Sequence, residues 1–163
     1  MRTNPQRLEA LRALAILDTA PEVVFDDITR MAASCFGVPI AMVNLLDRDR
    51  DWFKSCIGFP VSESPATTSF CEQFFHTDVD VLVAEDTAID ALFANHPLVT
   101  GAPHIRFYAA ARLMVNGAIL GTVCAYDVLP HRVNALQIER LRELANAAMA
   151  QLQARGNPAP ISL

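Results

Sequence analysis

The feature that most restricts this chain is Asn116-Gly117, set between two apolar runs, residues 106–115 and 118–127. A tight hairpin turn needs positive φ at both central residues, which Asn and Gly accept at low cost, so the runs read as two paired strands. The two-residue turn predicts a register with Val115 opposite Ala118, Leu113 opposite Leu120, Ala111 opposite Thr122 and Ala109 opposite Cys124. Side chains alternate across a sheet. This register therefore puts Phe107, Ala109, Ala111, Thr122, Cys124 and Tyr126 on one face, and Tyr108, Ala110, Val123 and Ala125 on the other. The first face is small in its middle and aromatic at one end. Small side chains leave room for a packed helix or for a bound molecule. The expectation is a hollow for a ligand, on the side of the sheet away from the terminal helices.

Residues 4–17 are predicted helical, with Pro5 in the first turn and Leu8, Leu11, Leu14 and Ala15 at helical spacing. A second helix is predicted over 21–36, with Val24, Ile28, Met31, Ala32 and Cys35 on one face and Gly37 as its stop. Residues 38–46 are almost uniformly apolar, as in a strand covered on both faces, and 52–57 return as its hairpin partner. Two prolines in 58–65 remove ladder donors, which predicts a loop. Ser69 and Glu72 have capping-box spacing ahead of a short helix over 70–75. A short strand over 81–84 and irregular helical turns over 87–99 follow. Asn134 and Gln137 repeat the capping-box pattern before a long helix running to about Gln153. Ile138, Leu141, Ala145, Ala148 and Leu152 form one stripe on it. Leu136, Leu144 and Met149 form a second, which either seams against a partner helix or packs within its own domain. The expected class is α+β. Helices of both termini cover one face of a largely antiparallel sheet, and short helices and loops form a pocket over the other.

At 163 residues the chain suits one domain with a substantial core. Residues 1–155 are expected to make that domain, with 156–163 a disordered Pro-containing tail. A net charge of −5 without a basic cluster argues against nucleic acid. No apolar run reaches the roughly 18 residues of a spanning helix, and residues 1–5 lack the apolar core of a secretion signal. No membrane partner and a cytoplasmic location are expected. Cys35, Cys56, Cys71 and Cys124 include no Cys-x-x-Cys pair, and His76, His96, His104 and His131 have no ligand spacing. Neither a disulfide framework nor a metal site is indicated.

The candidate site residues surround the small face of the hairpin. Trp52, Phe70, Phe74, Phe75, Phe93, Phe107 and Tyr126 could line an aromatic cavity around Ala109, Ala111 and Thr122, although core packing alone explains any one of them. Asp86, at a strand end, either accepts hydrogen bonds from a ligand or caps the turn that follows. Arg106 is either an anion contact at the pocket rim or a solvated charge, with the second reading preferred. Cys71 and Cys124 are the one pair suited to thiol chemistry, and small buried apolar filler accounts for them as well. No Ser-His-Asp order, phosphate loop or paired carboxylate motif stands out, and no cofactor is implied.

Several stretches together resemble the GAF domain, in the version found in bacterial sensor histidine kinases and diguanylate cyclases. They are Arg7-Leu8-Glu9-Ala10-Leu11 with Leu17-Asp18-Thr19-Ala20-Pro21-Glu22, Phe36-Gly37-Val38-Pro39-Ile40-Ala41, Asp51-Trp52-Phe53-Lys54-Ser55, Ser69-Phe70-Cys71, Asn95-His96-Pro97-Leu98-Val99, Ile105-Arg106-Phe107-Tyr108-Ala109, and Gly121-Thr122-Val123-Cys124 leading to Asp127. They occur in order from about Pro5 to Leu152. The resemblance implies a six-stranded antiparallel sheet with the pocket opposite the terminal helices, and a homodimer formed through those helices. It also implies a partner signalling module, such as a histidine kinase or diguanylate cyclase. The Asn-Lys-Phe-Asp-Glu signature of cyclic-nucleotide-binding members is absent, Cys71 is followed by Glu72 rather than His, and the glycine-rich surroundings of methionine-sulfoxide-reducing members are missing. The function expected is therefore non-enzymatic sensing of an unidentified small molecule in signal transduction. The alternatives are a thiol-dependent reductase of a small oxidised metabolite, like the free methionine sulfoxide reductases, and a ligand-free dimerisation module.

Overall fold

The structure, a computed structural model, describes residues 1–156; of the expected tail over 156–163, Gly156 is the last residue of the final helix and 157–163 lie outside the described residues. Helix α1 (Pro5–Ala13) is capped by Asn4, whose side chain accepts from the amides of Gln6 and Arg7. It ends earlier than the sequence suggests, because Ala15 and Asp18 take left-handed backbone at φ 51° and 62°. Helix α2 (Val23–Phe36) stops at Gly37, whose φ of 66° is the left-handed C-cap that glycine favours.

Strands β1 (Ile40–Leu46), β2 (Arg50–Ile57), β3 (Glu63–Pro65), β4 (Val81–Ala84), β5 (Phe107–Val115) and β6 (Ala118–Asp127) form one antiparallel sheet in the order β3-β2-β1-β6-β5-β4. β3 corrects the expected loop. It pairs with β2 over three residues at the edge of the sheet, a place where proline is tolerated. Short 3-10 turns, Ala66–Thr68, Phe70–Phe75 and Thr87–Ile89, and a one-turn helix α3 (Pro97–Thr100) lie between the strands. Helix α4 (Ala135–Gly156) opens on the expected capping box: the Gln137 amide donates to Asn134 Oδ1, and the Asn134 amide donates to Gln137 Oε1.

The α+β architecture is as expected, with two cores on opposite faces. One joins α1, α2 and α4 to Ala41, Val43, Leu45, Trp52, Phe107, Ala109, Ala111, Val123 and Ala125. The other joins the 3-10 turns and loops to Met42, Leu46, Phe53, Tyr108, Ala110, Cys124 and Tyr126. On α4, Met149 and partly Leu144 join the helix-side core, which leaves Leu136, 61% exposed, as the remainder of the second stripe.

The central hairpin turns at Asn116-Gly117, but its register is corrected. Val115 pairs with Ala118 and Met114 with Ile119, and then Leu113 pairs with Gly121, leaving Leu120 as an extra residue. Beyond this bulge Ala111 faces Val123 and Ala109 faces Ala125. The physical reason is the neighbouring strand: a Cβ on residue 121 would sit 2.1 Å from the Asn44 carbonyl oxygen, so the close approach of β1 requires glycine there. One extra residue exchanges the faces of everything after it. Thr122, Cys124 and Tyr126 therefore do not share a face with Phe107, Ala109 and Ala111.

Candidate functional site

A cavity of about 50 Å3 opens in the loop-covered face of the sheet. Met42 and Asn44 of β1, Asp51 and Phe53 of β2, and Tyr126 of β6 form its sheet side. Ser69, Phe70, Leu98, Pro103 and Ile105, from the loops and turns, complete its wall. Sites for drug-sized ligands run to roughly 300–1,000 Å3, so this volume suits a head group. Phe70 organises the wall. Its ring stacks on His96 at 4.0 Å and lies 5.2 Å from Tyr108, 5.3 Å from Phe93 and 5.5 Å from Tyr126.

The inner end is polar and closed to solvent, with Asn44 1% and Asp51 3% exposed. Asn44 Nδ2 donates to Asp51 Oδ2 at 3.2 Å, and Ser69 Oγ donates to the same oxygen. Ser69 thus serves Asp51 instead of capping the turn after it, and Glu72, the expected reciprocal partner, accepts from Arg2 Nε at 3.0 Å. Arg2 Nη1 lies 2.9 Å from Asp51 Oδ1. That contact is an ion pair; Nη1, which carries two hydrogens, also donates to the Asp47 carbonyl. Asn44 Oδ1 has no donor among the described residues. Burial pushes the Asp51 carboxyl above its ordinary pKa, opposed by the Arg2 charge and by hydrogen bonds from Ser69 and Asn44.

Arg2 is held in turn by Arg7, whose Nε donates to the Arg2 carbonyl at 2.8 Å and whose Nη1 donates to the Ile119 carbonyl. Both guanidinium groups lie over the Phe75 ring. Burial, reinforced by the Arg2 charge, lowers the Arg7 pKa to about 10. A continuous path of polar contacts therefore runs from α1 through Arg7 and Arg2 to the cavity carboxylate.

Of the residues expected at the site, Phe70 and Tyr126 line the cavity. Phe74, Phe93, Cys71 and Cys124 pack in the same loop-side core, and Thr122 Oγ1 lies 3.2 Å from Cys71 Sγ. Cys71 also lies 3.1 Å from the Tyr108 hydroxyl, and both thiols are fully buried. Burial pushes the Cys124 thiol well up. At Cys71 burial acts the same way, but the neighbouring Cys124 thiol and the hydroxyls of Thr122 and Tyr108 outweigh it and leave that thiol below its ordinary value. Trp52, Phe107, Ala109 and Ala111 lie instead in the helix-side core, and the bulge in β6 is what separates the last three from Thr122, Cys124 and Tyr126. Asp86 is at neither place. It caps the turn after β4 through the Ala88 amide and holds Arg106 with two 2.8 Å hydrogen bonds, so Arg106 is ion-paired rather than free in solvent.

Asn44, Asp51, Ser69 and Phe53 were not singled out by sequence reasoning. A usable signal existed for Asn44, the lone polar residue in an otherwise apolar strand. Asp51 and Ser69 carried none beyond their place in the family motifs.

The family model for the GAF domain matches residues 20–152. The cyclic di-GMP phosphodiesterase PA2567 of Pseudomonas aeruginosa is 34% identical over 141 residues, covering 85% of this chain and 24% of that protein. This chain thus spans about a quarter of the curated relative. Among solved structures, the GAF domain of the Acinetobacter phosphoenolpyruvate-protein phosphotransferase aligns over 98% of this chain and all of its own, with a TM-score of 0.68 at 14% identity. A type II free methionine-R-sulfoxide reductase from Thermoplasma acidophilum aligns over 91% of this chain and 95% of its own, with a TM-score of 0.61 at 10% identity. The expectation of a chain without enzymatic activity is corrected by the Pseudomonas relative, which is named as an enzyme. Among the described residues no helix is long and apolar enough to cross a membrane. With the sheet order, the two-sided core and the family match in agreement, the chain belongs to the GAF domain family.

Proposed function

We propose that residues 1–155 act as a cytoplasmic sensory domain that takes a small molecule into the cavity beside Phe70 and passes occupancy to a signalling module through the terminal helices. The observation that carries this reading is the double engagement of Asp51. It lines the cavity, and it pairs with Arg2, which Arg7 ties to α1. A ligand that bonds Asp51 competes with Arg2 and so biases how the N-terminal segment is held. The name of the Pseudomonas relative supports placing the module in cyclic di-GMP turnover, with this chain as the regulatory part of such an enzyme; a histidine kinase or diguanylate cyclase is the other class of output. Exposed Val23 and Met31 on α2 and Leu136 on α4 support a homodimer through the helical face.

The test is a thermal-shift screen of small metabolites followed by hydrogen exchange on each hit. The reading expects hits that raise Tm and change protection both in β1 and β2 and in residues 1–13. Hits that leave residues 1–13 unchanged would remove the relay, and hits that leave β1 and β2 unchanged would remove the cavity.

A thiol-dependent reductase is favoured by one observation, the placement of Cys71 and Cys124 in the same buried core. Loss of two free thiols on mild peroxide treatment, with a matching change in intact mass, would support it. Unchanged thiols would exclude it.

A further inference from the structure

We infer that His96 is a positioning residue for this cavity and acts as its proton-operated latch: the neutral ring holds two loop segments together at the cavity wall, and the protonated ring lets them part. The inference rests on reading the cavity as a ligand site and concerns how that site is regulated.

His96 bonds or stacks on three residues that line the cavity. Its Nδ1 accepts the Leu98 amide at 3.0 Å, its ring stacks on Phe70 with 4.0 Å between centroids, and it hydrogen-bonds to the Thr68 backbone. Thr68 and Phe70 belong to the turns over 66–75, whereas Leu98 belongs to α3. The Leu98 carbonyl in turn accepts the Ile105 amide at 2.8 Å, so a fourth wall residue depends on the same contact. One imidazole therefore joins the two loop segments that complete the wall.

The state of the ring follows from these bonds. A nitrogen that accepts an amide carries no hydrogen, so the neutral ring keeps its hydrogen on Nε2 and donates it to Thr68. Protonation adds a hydrogen to Nδ1. The ring then has two donors and no acceptor, and no ring flip restores one. The Leu98 amide loses its partner and faces another N–H. Stacking on Phe70 tolerates either form, so the amide contact is where the proton acts.

His96 is half-buried, which leaves it open to protons. The charged and titratable groups on the elements around it are engaged elsewhere. Glu72 accepts from Arg2, Asp86 holds Arg106, Asp90 Oδ1 accepts the Leu92 amide, and His104 Nδ1 lies 3.3 Å from the Val99 carbonyl. The Tyr108 hydroxyl lies against the Cys71 thiol. Burial, rather than a neighbouring charge, favours the neutral ring.

Xenon, which enters apolar cavities, is the probe. Its binding to the full chain is read through the methyl resonances of Met42 and Ile105, both in the wall. Lowering the pH from about 7.5 to about 5 is expected to weaken xenon binding about threefold, as the population with a closed wall falls. The Leu98 amide resonance should titrate with the same midpoint as the His96 ring, below 6.5. His96→Asn, which keeps an acceptor for that amide, should bind xenon equally at both pH values. His96→Ala should bind as weakly at the higher pH as the unaltered protein does at the lower one. Binding that does not change with pH in the unaltered protein, or a pH dependence that persists in His96→Asn, would overturn the latch and leave the cavity standing. If xenon shifts neither methyl at any pH, the cavity and the latch fail together.

Discussion

Arg2 Nη1 lies 2.9 Å from Asp51 Oδ1, and both side chains are almost fully buried. The contact joins the N-terminal segment to the inner end of the cavity. Removing one member of a buried pair strands the other charge, at a cost of about 3 kcal/mol. Arg2→Met, which keeps the apolar stem, should therefore lower stability by about that amount in urea denaturation. Arg2→Met combined with Asp51→Asn should recover more than half of the loss. An additive double variant would mean that the two groups are not coupled.

Ala109 is fully buried in the helix-side core that also holds Leu141, Ala145 and Ala148 of α4. Its replacement by Phe adds a ring to a closed interface. The expected result is a loss of about 3 kcal/mol or a failure to fold, measured by thermal denaturation. A stable Ala109→Phe protein that had lost ligand binding would restore the original expectation of a pocket on that face.

Gly121 lies where a Cβ would meet the Asn44 backbone oxygen at 2.1 Å. Gly121→Ala should push β6 away from β1 at the point where Asn44 and Asp51 are positioned. The expected cost is about 3 kcal/mol, with the largest loss of amide protection in β1. Gly117→Ala meets no atom within 4 Å, but its φ of 80° strains the turn. It should cost about 1 kcal/mol and spare β1.

His96 stacks on Phe70 and accepts the Leu98 amide through Nδ1 at 3.0 Å. Burial lowers its pKa from 6.5, opposed by a hydrogen bond with the Thr68 backbone. In this window the unfolded chain binds the proton more tightly than the folded one, so stability rises with pH. The contribution of neutral His96 is complete above 6.5 and is lost as pH falls through the lower folded value. His96→Asn keeps a capping acceptor and removes the titration. Its stability should vary less than that of the unaltered protein between about pH 7 and about pH 5; parallel profiles would rule out His96 as the source.

Elements with signals in their own few residues were legible beforehand. Gly37 ends α2, Asn134 and Gln137 cap α4, residues 81–84 form β4, and Asn116-Gly117 turns the central hairpin. The division into a helix-covered and a loop-covered face followed from where the amphipathic segments stand in the chain. The candidate site was legible only in Phe70 and Tyr126. Ser69 carried a cap pattern that the fold uses for Asp51, and Asp86 had two local readings, of which its capping bond and its Arg106 pair satisfy the nearer one.

What the amino-acid sequence determined by itself is the order of the long helices and of every strand but β3, the central turn, the cap of α4 and the family, because these depend on short-range backbone preferences and on periodicity. What only the tertiary structure decided is which face each residue of β6 occupies, and hence where the cavity lies. That choice depends on Leu120 being accommodated as an extra residue so that Gly121 can meet the backbone of β1. The Arg2–Asp51 pair was likewise decided in three dimensions, since burial and charge pairing become properties of a residue only when distant segments close over it.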